Sequence, residues 1–156
     1  PDHHTILAIY KEQIIGFVDG FLTLSASGQR RWEADLLGVH PAHQKRGIGT
    51  QLIQAITQAG QGMAAELATG ALVIAKIKEG GHNISMLLVH NSGSFLKKAT
   101  GRITFTCNDG ILVDKAIAKA LVTSQGESIL MNATGINADG IEVSKFSFEW
   151  TIKVKN

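Results

Sequence analysis

Between Gln44 and Thr50 the chain reads Gln44-Lys45-Arg46-Gly47-Ile48-Gly49-Thr50, two adjacent cations followed by two glycines. At the start of a helix, such a stretch builds an anion site. First-turn N–H groups lack intrahelical partners, and the helix dipole places partial positive charge there. Gly47 and Gly49 carry no Cβ, so a pyrophosphate can approach the backbone closely, while Lys45 and Arg46 add charge. The simpler alternative, glycines that serve turn geometry alone, stays open. Upstream, Glu33 and Asp35 are embedded in the apolar run Glu33-Ala34-Asp35-Leu36-Leu37-Gly38-Val39. Partial burial there would raise a carboxylate towards the range of a general base; one or both acids reaching the solvated rim is an equal alternative. Downstream, Glu66 stands inside an apolar helical stretch, where it must find a partner or bear a desolvation cost. His40 and His43, three apart, and His3-His4 have no matched cysteine or carboxylate nearby. They read as loop residues, so no metal is expected. The single cysteine, Cys107, alternates with Ile103 and Phe105 and reads as a buried strand residue, not a nucleophile.

The elements that position these groups are legible in outline. Glu33–Val39 is a mostly buried strand, stopped by His40-Pro41, since proline gives no N–H to a ladder. A helix follows, with Ile48, Leu52, Ala55, Ile56 and Ala59 on one face. Ahead of it, residues 5–24 read as a β-hairpin turning at Lys11-Glu12-Gln13, with Gly16 and Gly20 as bulge or close-packing positions. Ser25 to Arg30 is a loop by composition. Gln61 to Glu79 reads as a second helix, with Met63, Leu67, Gly70/Ala71, Ile74 and Ile77 on its apolar face, ended by Gly80-Gly81. Strands follow at Ile84–Val89 and Arg102–Cys107. Asp109 is placed to cap a helix that shows Val113, Ile117, Ala120 and Leu121 on one face. Two long strands, about Ser128–Ile136 and Ile141–Val154, close the chain. Phe146, Phe148, Trp150, Ile152 and Val154 share parity while Val143 does not, which predicts a bulge near Ser144.

The pattern Gln44-x-x-Gly47-x-Gly49, after a strand ending Val39-x-Pro41, resembles the acetyl-CoA signature of the GNAT N-acetyltransferases. The resemblance covers about residues 5–60. It implies that Gln44, Lys45, Arg46, Gly47, Ile48, Gly49 and Thr50 hold the pyrophosphate of CoA. It also implies that the strand backbone at Leu37 and Val39 holds the pantetheine arm, and that Glu33, eleven residues before Gln44, deprotonates an incoming amine, with Asp35 as alternate. The family tyrosine that protonates the departing thiolate has no match; Tyr10, the only tyrosine, falls in the hairpin. The first strand and two helices of such a domain would lie ahead of Pro1.

Residues 61–156 resemble a hot-dog-fold family related to acyl-CoA thioesterases. Met63 to Leu72 looks like its central helix. Phe95-Leu96-Lys97-Lys98-Ala99-Thr100-Gly101 looks like the run into its next strand, with Ala99 in place of the usual proline. That resemblance implies a carboxylate, Glu66, acting on a thioester carbonyl; an upstream His-Gly-Gly stretch is lacking, and only Gln61-Gly62 stands there. The two resemblances predict a fusion or chimera with its seam near Gly60-Gln61-Gly62. Residues 1–60 would form a GNAT-like hairpin–strand–helix unit, and residues 61–156 a hot-dog-like one. The fold class expected is α+β: a largely antiparallel sheet wrapped on a long central helix. A single divergent domain is the alternative. Hot-dog sheets pair edge to edge, so a homodimer is expected.

Composition bounds the rest. The 156 residues, 44% hydrophobic and 18% charged, suit one ordinary globular domain. A net charge of +2 without a basic recognition helix argues against a nucleic-acid partner. No apolar run reaches membrane length, the start lacks a signal-peptide layout, and the lone cysteine fits a reducing cytoplasm. Both resemblances imply a CoA thioester as ligand, acetyl-CoA or another acyl-CoA. Three functions remain in play: acetyl transfer to an amine, acyl-CoA hydrolysis or binding, and a catalytically silent domain.

Overall fold

The computed structural model describes residues 3–24, 26, 28 and 30–155; Pro1, Asp2, Asn156 and, in the stretch expected to be a loop, Ser25, Ser27 and Gln29 lie outside them. The described residues form a mixed α/β structure with two α-helices and two antiparallel sheets, and the chain divides into two compact units, residues 1–60 and 61–156.

In the first unit, β1 (His3–Tyr10), β2 (Gln13–Leu24) and β3 (Arg30–Val39) form an antiparallel sheet in that order. The β1–β2 turn has only two residues, Lys11 (φ 47°) and Glu12 (φ 64°), and Gln13, expected in the turn, pairs with Tyr10 instead. Two successive positive φ values give the turn whose twist matches a tight hairpin. His3 and His4 belong to β1 and not to a loop. One sheet face packs Ile6, Ala8, Val18, Trp32 and Val39 against Ile48, Leu52 and Ile56 of helix α1 (Ile48–Glu79). Gly20 is fixed by that packing: a Cβ there would stand 2.9 Å from Cζ2 of Trp32 and 3.1 Å from Cγ1 of Ile56.

The two helices expected on either side of Gly60-Gln61-Gly62 are one helix of 32 residues. Gly60 is a packing position and not a break, because a Cβ there would run into the Trp32 indole.

In the second unit, β4 (Ile84–Phe95), β5 (Ile103–Thr106), α2 (Gly110–Thr123), β6 (Glu127–Asn137) and β7 (Glu142–Val154) follow in sequence. The sheet order is β4-β7-β6-β5, all antiparallel, so the last strand is interior and β4 and β5 are edges. β4 runs six residues past the expected Val89, and Cys107 lies just beyond β5. The core joins Phe146, Phe148, Trp150 and Ile152 of β7 and Ile129, Met131 and Ala133 of β6 to Ala65 and Val73 of α1 and Val113 and Ile117 of α2. The bulge sits where expected: Gly135 faces Ser144 while Ile136 faces Glu142, and both Val143 and Ser144 are buried.

The face that α1 buries here differs from the apolar stripe of the sequence. Gln61, Ala65, Thr69 and Val73 are buried, whereas Leu67 and Ile74 are 39% and 44% exposed. Two polar pairs decide it. Ser144 Oγ donates to Gln61 Oε1 at 2.7 Å, and Trp150 Nε1 donates to Thr69 Oγ1 at 3.0 Å. Buried polar groups with partners lose their desolvation penalty, so they can hold a core position. Leu121 of α2 is likewise exposed. Asp109 precedes α2 but makes no side-chain cap; its Oδ2 accepts the Asn132 N–H at 2.7 Å, extending the β5 edge of the ladder by one bond.

Candidate functional site

β3 lies at the edge of its sheet, with β2 on one side only. Past the last paired residue, the His40 N–H donates to the Ile15 carbonyl at 2.8 Å. Bonding alternates along an antiparallel ladder, so Gly38 and His40 bond towards β2 while the backbone groups of Leu37 and Val39 turn to the free edge. The Val39 carbonyl there accepts the Gln44 side-chain amide at 3.0 Å. The side chains of Leu37 and Val39 lie against the helix start, each 3.8 Å from where a Cβ on Gly49 would be.

Between strand and helix, Pro41–His43 forms a short 3-10 turn, capped by His40 Nδ1 accepting from the Ala42 N–H at 3.3 Å. The chain then alternates in hand: Lys45 has φ 59° and Gly47 φ 78°, with Arg46 between them outside the positive-φ region. Such alternation turns successive N–H groups into a concavity. The first carbonyl to accept a helical bond is that of Gly47, from the Gln51 N–H at 3.0 Å. The N–H groups of Ile48, Gly49 and Thr50 therefore have no intrahelical acceptor. The first turn holds no acidic residue, and neither Lys45 nor Arg46 forms an ion pair among the described residues. Space over Gly47 is open, with nothing within 4 Å of a would-be Cβ. Unpaired donors, free cations and open space fit a pyrophosphate. Beside this junction, Ile14, Ile15, Gly16, Phe17, Gly38, Val39 and His40 line a shallow, largely apolar concavity of about 300 Å³.

Glu33 lies on β3 opposite Phe21, on the sheet face turned away from α1. Its side chain keeps 40% exposure, with Arg31 Nε at 3.6 Å, so the burial proposed for a base is partial. Between Ala34 and Leu37 the strand bulges: Asp35 and Leu36 together oppose Asp19. Asp19 itself was not legible as a site residue. It accepts from Thr5 Oγ1 at 2.9 Å and pairs with His3 Nδ1 at 2.8 Å. These bonds, His3 first, hold its carboxyl below the ordinary range. Its only sequence signal is an acid in a glycine-flanked apolar strand. Tyr10, placed by the sequence in the hairpin, comes within 5.7 Å of the His43 ring, centroid to centroid.

Glu66 is partly buried on α1, and its backbone carbonyl accepts from Thr69 Oγ1 at 3.0 Å. The Lys or Arg partner that a structural glutamate would have is not found among the described residues. Cys107 is partly buried, with Sγ 3.9 Å from Asp109 Oδ2, and burial pushes its thiol up. Among the described residues no cluster of three or more His, Cys, Asp or Glu is placed to hold a metal, and no helix is long and apolar enough to cross a membrane.

No curated protein and no solved structure matches the chain. The family model described as an acetyltransferase (GNAT) domain matches residues 1–92, running past Gly60 through the rest of α1 and into β4. β4, which that match enters, pairs antiparallel with β7 and belongs to a different hydrogen-bonded sheet from β3. With 92 of its 156 residues matched, the chain belongs to the GNAT acetyltransferase family.

Proposed function

We propose that this protein transfers an acetyl group from acetyl-CoA to an amine, with the junction of β3 and α1 holding the thioester. The supporting observation is the set of free N–H groups at Ile48, Gly49 and Thr50, flanked by Lys45 and Arg46, at the end of an edge strand whose Leu37 and Val39 backbone groups face outward. The pyrophosphate sits on the loop, and the amides of the pantetheine arm extend the sheet along β3. Six residues separate Val39 from Glu33, roughly 20 Å of strand at about 3.3 Å per residue. An extended arm spans that length, which brings the thioester towards Glu33 and the Asp35–Leu36 bulge. The Glu33 carboxylate takes a proton from the amine, whose nitrogen attacks the thioester carbonyl. The C–S bond breaks, and the CoA thiolate takes its proton from water.

Gly47→Asp tests the loop, since it puts a side chain and a negative charge into the anion site. Calorimetry with CoA should show binding lost while circular dichroism stays near that of the parent; equal affinity would remove the reading. Glu33→Gln should suppress amine-dependent thiol release from acetyl-CoA without abolishing CoA binding.

A second reading, a hot-dog-like acyl-CoA hydrolase or binder, draws on the second unit. Its support is an antiparallel sheet packed against α1, with Glu66 partly buried and unpaired among the described residues. Hydrolysis of longer acyl-CoAs without amine, suppressed by Glu66→Gln, would favour it. Background rates across both substrate panels would leave a catalytically silent domain.

A further inference from the structure

β6 is paired on both sides for only part of its length. β5 covers positions 134–137; just beyond, Asp109 Oδ2 accepts the Asn132 N–H at 2.7 Å, and there the cover stops. β7 flanks β6 on the other side from Glu127 onward. Bonding alternates along an antiparallel ladder, so the backbone groups of Ser128 and Leu130 are in phase with those of Asn132. They turn away from β7, to a side where no strand stands among the described residues. Beside this open edge lies α2, and between the two runs a shallow groove of about 340 Å³, with Leu112, Lys115 and Ala116 on its helix wall. Lys119 Nζ, 2.7 Å from Glu127 Oε2, marks one end of it, and the Asp109–Asn132 bond marks the other. Leu112 and Leu130 are 43% and 59% exposed, and Lys115 forms no ion pair among the described residues.

We propose that this groove docks an extended acidic segment of another protein, which adds a strand to β6. Backbone donors and acceptors repeating every second residue along an open edge are complementary to an extended chain. A cation on the wall selects an acid. β1, β4 and β5, which are edge strands too, contain no acidic residue, and the free edge of β3 is the one given to the CoA arm. A second copy of this chain therefore has no free acidic edge to offer. In the complex the N–H and C=O groups of Ser128 and Leu130 bond to the backbone of the segment. A glutamate of the segment lays its methylenes along Leu112 and Ala116 and brings its carboxylate to Lys115, a charge-assisted contact. On the opposite face, an apolar side chain of the segment pairs with Leu130 across the new ladder. The Asp109 carboxylate already takes the place of such a strand at Asn132, one position further along.

The test is fluorescence anisotropy with a labelled hexapeptide alternating valine and glutamate, beside the same peptide with lysine in place of glutamate. The parent should bind the glutamate peptide more tightly, by roughly 2- to 5-fold, the span of an exposed ion pair. Lys115→Glu should erase or reverse that preference. Proline is tolerated at a strand position whose N–H faces an open edge, so Leu130→Pro should keep the circular dichroism of the parent. It should weaken the glutamate peptide by roughly 2- to 12-fold, the worth of one backbone hydrogen bond. Light scattering should give Leu130→Pro the same mass as the parent. A parent that binds neither peptide, or a preference that Lys115→Glu leaves unchanged, overturns the proposal. So does a folded Leu130→Pro variant that binds as the parent does. A mass halved by Leu130→Pro would give the edge to a second copy of the chain and overturn it as well.

Discussion

The Trp150 indole N–H donates to the Thr69 hydroxyl, and that hydroxyl donates in turn to the Glu66 carbonyl, each bond 3.0 Å long. One threonine thus ties β7 to α1 through a chain of two bonds at a position with no solvent exposure. Thr69→Val keeps the shape and strands the indole N–H. A buried donor left without an acceptor costs about 1–3 kcal/mol. Urea unfolding should show that loss, and Trp150→Phe in the Thr69→Val background should recover part of it; additive losses would mean the bond contributes little.

Gly60→Ala sets two effects against each other. Alanine is favoured over glycine inside a helix by about 1 kcal/mol. The new methyl would meet the near end of the Trp32 indole, where the ring is held by its own Cβ and cannot swing away cheaply. Overpacking of this kind costs typically about 1–3 kcal/mol, so the variant should be less stable than the parent. Thermal melts decide it. In a Trp32→Leu background the same substitution should turn neutral or stabilising, which a purely local helix effect would not do.

Sequence alone carried the strand, basic loop and helix start because each is local. Apolar spacing, a proline stop and glycine positions all lie within one short window. The buried face of α1 was not legible, because Gln61 and Thr69 look like solvent residues until their partners are known. Those partners, Ser144 and Trp150, lie 83 and 81 residues away. The same holds for Asp19, whose pairing with His3 follows from hairpin register, and for the Asp35–Leu36 bulge, which appears only when β2 and β3 are aligned. Gly60 misled for a related reason. In a single chain a packing glycine and a breaking glycine are the same letter.

Asp19 gives the chain an acid-sensitive contact. Its carboxyl is held below the ordinary value of about 3.9 by His3 and Thr5. A lowered carboxyl stabilises the folded state above the unfolded value and loses that contribution as pH falls through the folded one. Asp19→Asn should therefore lower stability near pH 6 and flatten the decline below about pH 4. Parallel urea midpoints for parent and variant across pH 3–6 test this; superimposable curves would show the contact to be energetically idle.

A homodimer is expected through the second unit. β4 is a 12-residue edge strand, and Leu87 and Val89 on it are 67% and 56% exposed. Long apolar edges invite pairing, and a symmetric partner satisfies their backbone groups. Light scattering at low micromolar concentration should give about twice the 16.7 kDa chain mass. Lys in place of Leu87 and Val89 should return a monomer.

The position of β7 sets an order of assembly. β1, β2 and β3 are neighbours both along the chain and in their sheet, so they can pair as they leave the ribosome. β4 and β6 both bond to β7, which is the last strand of the described chain. Until it has been synthesised, β4 has no neighbour in its sheet, and non-local pairings of this kind close slowly. Nascent chains stalled before Glu142 should therefore protect the first hairpin from proteolysis while leaving β4 open to cleavage and to chaperones. A truncation that removes β7 should aggregate rather than yield a smaller folded protein.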